Sequence, residues 1–156
     1  VAGRGAAAGM ISDRARDWGK VVADAMLALN AQTFAADGPS AYIVKTEIRR
    51  VMSEAAGIYR SEAGLVRGAQ ALRELGLTVE SGLCVADDVD WSAAREAKNM
   101  VLAGKCVIAA ALARKESRGA HQRRDYPLQD DAGFMVHLAI RCTPDGEPGV
   151  STTPIA

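Results

Sequence analysis

The sequence predicts a mainly α fold: a helical bundle of the three-helix type plus an N-terminal helix, followed by a short C-terminal β-hairpin or extended tail. Three observations carry this. Apolar residues recur at steps of three and four in successive stretches, the spacing of one helical face. Aromatics make up only 4% of the 156 residues while glycine supplies 15, which suits closely packed helices better than the aromatic and β-branched filling of a sandwich. After Gly119 the helical spacing is lost, and "TPDGEPG" brings turn chemistry through Asp145-Gly146.

From Ile11 to Asn30 the apolar positions Ile11, Ala15, Trp18, Val22, Met26 and Leu29 form one helical stripe. "ADGPS" breaks it at 36–40. Val44, Ile48, Val51, Met52 and Ala55 then share a face, and Gly57 is a plausible end. Ser61 is a good N-cap, with Glu62 placed where the helix dipole favours an anion. Leu65, Ala69, Leu72 and Leu75 line that helix, and Gly76 is expected to stop it. Residues 77–90 hold several breakers and read as a loop. Ser92 is expected to cap a helix running to about Lys115. Within it, Met100 to Ala113 carries one charge, Lys105, so the helix asks for cover on more than one side. Phe134 to Cys142 alternates loosely, and Val150 to Ile155 is the candidate returning strand.

The length fits one ordinary domain, or one domain and a fragment of another. Nineteen basic and nineteen acidic residues cancel, so the bulk charge gives no case for nucleic acid. No stretch reaches the roughly 20 apolar residues a membrane helix needs, so no direct membrane insertion is expected. Cys84, Cys106 and Cys142 have no metal-ligand spacing, and read as reduced thiols. The chain opens at Val1 on "VAGRGAAAGMI", which reads as a segment of a longer protein.

One stretch concentrates charge. Arg114, Lys115, Arg118, His121, Arg123 and Arg124 fall within "RKESRGAHQRR", and Asp125, Asp130 and Asp131 follow. Two readings stay open. Cations belong at a helix C-terminus, with Gly119 in the left-handed C′ position and the acids neutralising the cluster. Alternatively, the arginine forks and His121 converge on an anion or a neighbouring domain. No nucleophile or base is identified by spacing, and Ser117 has no nucleophile elbow around it. His137 reads as a solvent-face or packed histidine, and Trp18 and Trp91 as core or interface anchors.

The motif "RKESRGAHxRxDYP" at 114–127 resembles the hallmark near the C-terminus of the flavoprotein subunit of succinate dehydrogenase and fumarate reductase. "EIRRVMSEAAGIYRSEAGL" at 47–65, "AREAKNMVLAGKCVIAAALARKESRGAH" at 94–121, the opening "VAGRGAAAG" and the ending "DGEPGVSTTPIA" are similar to that family in the same order. The resemblance implies residues 1–36 as the terminal helix of an upstream flavin-binding domain, 37–125 as the helical bundle domain and 126–156 as the tail. It implies FAD in the complete flavoprotein and none bound by this chain alone. The partners it implies are the upstream flavin domain and the iron–sulfur subunit. The location it implies is cytoplasmic, or peripheral on the inner face of a membrane through partner subunits. No GxGxxG follows a strand, and the family's flavin and dicarboxylate residues lie upstream, so no catalytic, cofactor or metal residue is assigned. Glu116, Ser117, Arg118, Gly119, His121, Arg123 and Asp125 match the hallmark and are given a structural and interdomain role. L-aspartate oxidase shares the "ESRG…H…DYP" core. Ala120-His121-Gln122-Arg123 favours the dicarboxylate oxidoreductases over it, and a free-standing helical interaction module is the remaining alternative.

Overall fold

A computed structural model describes residues 19–20, 35–143 and 146–155. The chain divides into two units, Val1–Gln32 and Thr33–Ala156. Of the first only Gly19 and Lys20 are described, both helical, so the expected helix over 11–30 and the role of Trp18 lie outside the described residues. The second unit is mainly α with a C-terminal antiparallel strand pair.

Helix α1, Ala41–Ala56, starts on Ser40, whose side chain accepts from the Tyr42 amide. It buries Val44, Ile48, Val51 and Ala55 of the stripe read from spacing, while the fifth member, Met52, is half-buried against the core. Lys45 is also buried; its stem lies in the helix face and its ammonium pairs with Glu96. Strand β1, Tyr59–Arg60, leads to the N-cap Ser61, which accepts from the Gly64 amide at 3.2 Å. Helix α2, Glu62–Ser81, follows.

Helix α2 does not stop at Gly76. Gly76 is buried, and a Cβ there would meet Val101 at 3.4 Å. Leu75 and Val79 pack on the core either side of it, and that burial outweighs the roughly 1 kcal/mol a mid-helix glycine costs. The loop expected over 77–90 therefore shrinks to a few residues. Helix α3, Asp88–Ala113, is capped by Asp87, which accepts from the Val89 and Asp90 amides at 2.9 and 2.8 Å. Ser92 is an exposed residue inside the helix, because Asp87 upstream already serves as the cap for the first amides.

The three helices pack against one another around Ile48, Leu65, Leu72, Ala97, Val101 and Ile108. Two glycines set the spacing. A Cβ on Gly68 would stand 2.4 Å from Ala55 Cβ, and one on Gly104 would stand 2.8 Å from Leu72 Cδ1. The apolar length of α3 is covered largely from within this unit, by α1, α2 and the hairpin; Leu102 and Val107 remain 41% and 44% exposed. Its composition therefore does not by itself require a neighbour outside the chain.

Beyond α3, strand β2 (Gln122–Arg123) pairs in parallel with β1. A helical turn, α4 (Asp131–Phe134), is capped by Asp130, which accepts from the Gly133 amide at 2.9 Å. Phe134 thus lies in a helical turn and not in the expected alternating strand. Strands β3 (Val136–Cys142) and β4 (Pro148–Pro154) form the hairpin, in register from Val136 opposite Pro154 to Cys142 opposite Pro148. Lys105 on α3 donates to Glu147 at 3.0 Å and ties the hairpin's turn end to the bundle. His137 is exposed on β3. Among the described residues no helix is long and apolar enough to cross a membrane.

Candidate functional site

The charged stretch after α3 folds into a polar joint where the end of α3, the start of α2, β1 and β2 meet. Its centre is Arg123, 1% exposed. Arg123 Nε and Nη2 donate to the two oxygens of Asp125 at 2.7 and 2.8 Å. Its Nη1 donates to the Ala111 carbonyl at 2.8 Å, and more weakly to that of Arg114 at 3.4 Å. These carbonyls end α3 and have no intrahelical partner, so Arg123 caps the negative end of the helix from outside it. Its guanidinium also lies 4.9 Å from the Tyr126 ring centroid. Asp125 accepts from the Glu62 amide at 2.7 Å, at the positive end of α2. One ion pair thereby bridges opposite poles of two helices. The two-pronged bond from Arg123, with the Glu62 amide, holds the Asp125 carboxyl well below the usual carboxylate range.

Glu116 organises the second half of the joint and is fully buried. It accepts from Arg114 Nη1 at 2.5 Å, from Arg118 Nε and Nη2 at 2.9 and 3.1 Å, and from the Asp130 amide at 2.8 Å. Arg118 chiefly, helped by the Asp130 amide and Arg114 against the cost of burial, lowers its pKa to about 2. Arg114 continues to the Phe134 and Val136 carbonyls at 3.0 and 2.8 Å, which fixes the start of β3. Arg118 also pairs with Asp131 on α4 at 2.5 Å.

Ser117 is a backbone staple. Its hydroxyl accepts from the Arg123 amide at 2.8 Å and donates to the Tyr126 carbonyl at 2.8 Å. Gly119 has φ +55°, but in the turn closed by the reciprocal Arg118–His121 backbone bonds, not at the helix C′ position. Helix α3 has already ended, with Arg114 as its extended C-cap. Within that turn Gly119 is needed because only glycine adopts a left-handed φ without cost. His121 Nε2 lies 3.1 Å from the Arg114 carbonyl and its Nδ1 lies 2.7 Å from Arg60 Nη1. Arg60 Nε in turn donates to the Gly57 carbonyl at 2.6 Å.

The structure therefore brings all seven hallmark residues into one connected region. It shows both halves of the helix-end reading to be incomplete: the cap on α3 comes from Arg123, twelve residues beyond Ala111, and Arg118 serves Glu116 and Asp131. It also adds Arg60, which spacing alone did not single out, and ties in Glu62 and Arg114, read from the sequence only as a first-turn acid and as one cation of the cluster. The only local signal for Arg60 was its place in "GIYR", next to the Ser61 cap. Every buried side-chain polar atom among the described residues has a partner. No group of His, Cys, Asp and Glu able to hold a metal occurs among them, and Cys84, Cys106 and Cys142 are free thiols.

Comparison with known proteins places this arrangement. The family described as "Fumarate reductase flavoprotein C-term" matches residues 45–156. L-aspartate oxidase of Streptomyces coelicolor is 35% identical over 117 residues, 68% of this chain and 19% of that protein. The fumarate reductase flavoprotein subunit of Helicobacter pylori is 34% identical over 116 residues, 71% of this chain and 16% of the subunit. Mycobacterium smegmatis Sdh1, solved in complex with UQ1, superposes with a TM-score of 0.74 at 29% identity, covering 86% of this chain and 24% of that one. The chain spans about a fifth of the length of the curated relatives it matches.

Proposed function

The chain belongs to the family of fumarate reductase flavoprotein C-terminal regions, and from that membership we propose that it serves as the C-terminal helical part of an FAD-dependent succinate dehydrogenase or fumarate reductase flavoprotein. In this reading it braces the flavin domain, contributes to the surface that meets the iron–sulfur subunit, and is not catalytic alone. Residues 1–36 belong to the flavin domain, 37–125 form the bundle and 126–156 the tail. The complete protein works in the cytoplasm or on the inner face of a membrane through its partner subunits. The observation that carries the proposal is the family match across 45–156, which includes the whole polar joint.

The described residues do not fit a flavin. Their buried polar side chains are already satisfied within the chain, and β1 leads into α2 through "SEAGLVRG" without a dinucleotide glycine turn. This supports placing the cofactor, and the hydride chemistry it supplies when bound, outside them. Glu116, Ser117, Arg118, Gly119, His121, Arg123 and Asp125 are then positioning and interdomain residues.

A second reading has support from one relative: 35% identity to L-aspartate oxidase. There the complete protein would oxidise L-aspartate and need no iron–sulfur partner. The test is an assay of the complete flavoprotein. Interconversion of succinate and fumarate with an artificial electron carrier is expected. Oxidation of L-aspartate with oxygen, without succinate activity, selects the second reading, and neither activity overturns both. The isolated 156 residues are expected to show no flavin absorbance; a stoichiometric yellow cofactor on them overturns the bracing assignment.

A further inference from the structure

We infer that His121 is a proton-controlled latch, which joins the α1–α2 connection to the end of α3 only as the neutral, Nε2-protonated imidazole and releases it on taking up a proton. The chemistry of its two neighbours fixes the tautomer. The Arg114 carbonyl can only accept, so Nε2 must donate to it across 3.1 Å. The Arg60 guanidinium can only donate, so Nδ1 must be bare to receive it across 2.7 Å. A second ring proton would sit on Nδ1, donor against donor and cation against cation.

Among the described residues no acid stands against the ring to offset that charge. The described charged groups facing it are Arg60 from β1, Arg114 from the end of α3 and Arg123 from β2, all cationic. The carboxylates of the joint lie against other cations, Glu116 against Arg114 and Arg118, Asp131 against Arg118, and Asp125 and the more distant Glu62 against Arg123. Partial burial, opposed by the Arg114 carbonyl bond, lowers the imidazole pKa below its ordinary value, and the three arginines add to this. The ring is only half-buried, so protons reach it.

Opening the latch acts on one short segment. Arg60 also holds the Gly57 carbonyl, and two backbone bonds tie β1 to β2, Gln122 N to Ile58 O at 3.1 Å and Arg124 N to Arg60 O at 2.8 Å. Ile58 and Tyr59 on that segment are 61% and 65% exposed. The latch thus couples local acidity to the order of residues 57–60 without touching the core.

The sign follows from linkage. The opened state binds a proton with the ordinary histidine pKa of about 6.5, and the latched state binds it less well, so the latch is complete above that value and weakens as pH falls below it. Glu116 titrates near 2 and Asp125 also well below its usual range, so neither contributes in this window.

The experiment is amide hydrogen exchange on the full 156-residue chain, with nitrogen-15 NMR of His121. The expected result is the Nε2–H tautomer at about pH 7.5, and protection at Gln122 and Arg124 falling several-fold, up to about tenfold, by about pH 5.5. Protection in α1–α3 is expected to hold over the same range. A His121→Gln chain is expected to lose the pH dependence at Gln122 and Arg124. An Nδ1–H tautomer, pH-independent protection at the two amides, or an equal loss of protection in the core helices overturns the latch. The wild-type measurements decide the matter even if the variant does not fold.

Discussion

Arg123 and Asp125, two residues apart, form a two-pronged ion pair at 2.7 and 2.8 Å that links the carbonyl end of α3 to the amide end of α2. The guanidinium is all but removed from water, so the pair is held by geometry that a different cation cannot copy. A lysine ammonium is a point charge and cannot serve both carboxylate oxygens and Ala111 at once. Arg123→Lys is expected to destabilise the chain by about 2–4 kcal/mol, and Arg123→Ala by about 3–5 kcal/mol because it strands Asp125. Urea denaturation checks both. In a double-mutant cycle the Arg123→Ala, Asp125→Ala pair is expected to cost less than the sum of its parts.

Glu116 gives the acid limb of stability. Its folded pKa of about 2 lies below the ordinary 4.5, so the unfolded chain binds the proton first. The stabilisation is therefore complete above about pH 4.5 and is lost as pH falls towards about 2. Asp125 shifts in the same direction and adds to the same limb. Glu116→Gln is expected to lower stability at neutral pH by about 3 kcal/mol and to flatten the fall between about pH 4.5 and 2. Denaturation midpoints of both proteins across that range test it.

The helix glycines form a graded series. Gly68→Ala sets a methyl 2.4 Å from Ala55 Cβ, which cannot turn aside, and 3.0 Å from Ile108 Cδ1. It is expected to cost about 2–3 kcal/mol. Gly104→Ala meets Leu72 Cδ1 at 2.8 Å and Met52 Sδ at 3.1 Å, both ends of flexible chains, and is expected to cost less than about 1.5 kcal/mol. Gly76→Ala finds Val101 at ordinary contact distance and is expected to stabilise by about 0.5–1 kcal/mol. Thermal unfolding of the three variants gives the order; a Gly76→Ala protein less stable than Gly68→Ala contradicts it.

The Lys105–Glu147 pair ties the hairpin to α3 but stays in reach of water, Glu147 being 43% exposed. Lys105→Gln is expected to cost no more than about 1 kcal/mol and to lose that effect in high salt. Denaturation with and without about 1 M salt separates this surface pair from the buried joint.

What the sequence determined by itself was local. Val44, Ile48, Val51 and Ala55 at helical spacing fixed the buried face of α1, because side chains three and four apart share one side of a helix. Ser61 and Glu62 marked the start of α2, since unpaired amides attract an oxygen wherever the chain begins to coil. The hairpin was legible from the turn residues of "TPDGEPG", although its second strand starts inside that stretch, at Pro148. The hallmark residues were legible as a group, by composition and by likeness to a family, but not in their pairings. Tertiary structure decided where local preference and burial disagreed. Gly76 stays helical because Val101 covers it, and α3 begins at Asp88 because Asp87 reaches the first amides before Ser92 can. It also decided which cation meets which acid. Arg60 and Glu62 lie some sixty residues before His121 and Asp125, and only the folded bundle brings them within hydrogen-bond reach. Charges carry no address in the sequence: an arginine suits any carboxylate, and the choice is made by the helix ends that hold both in place.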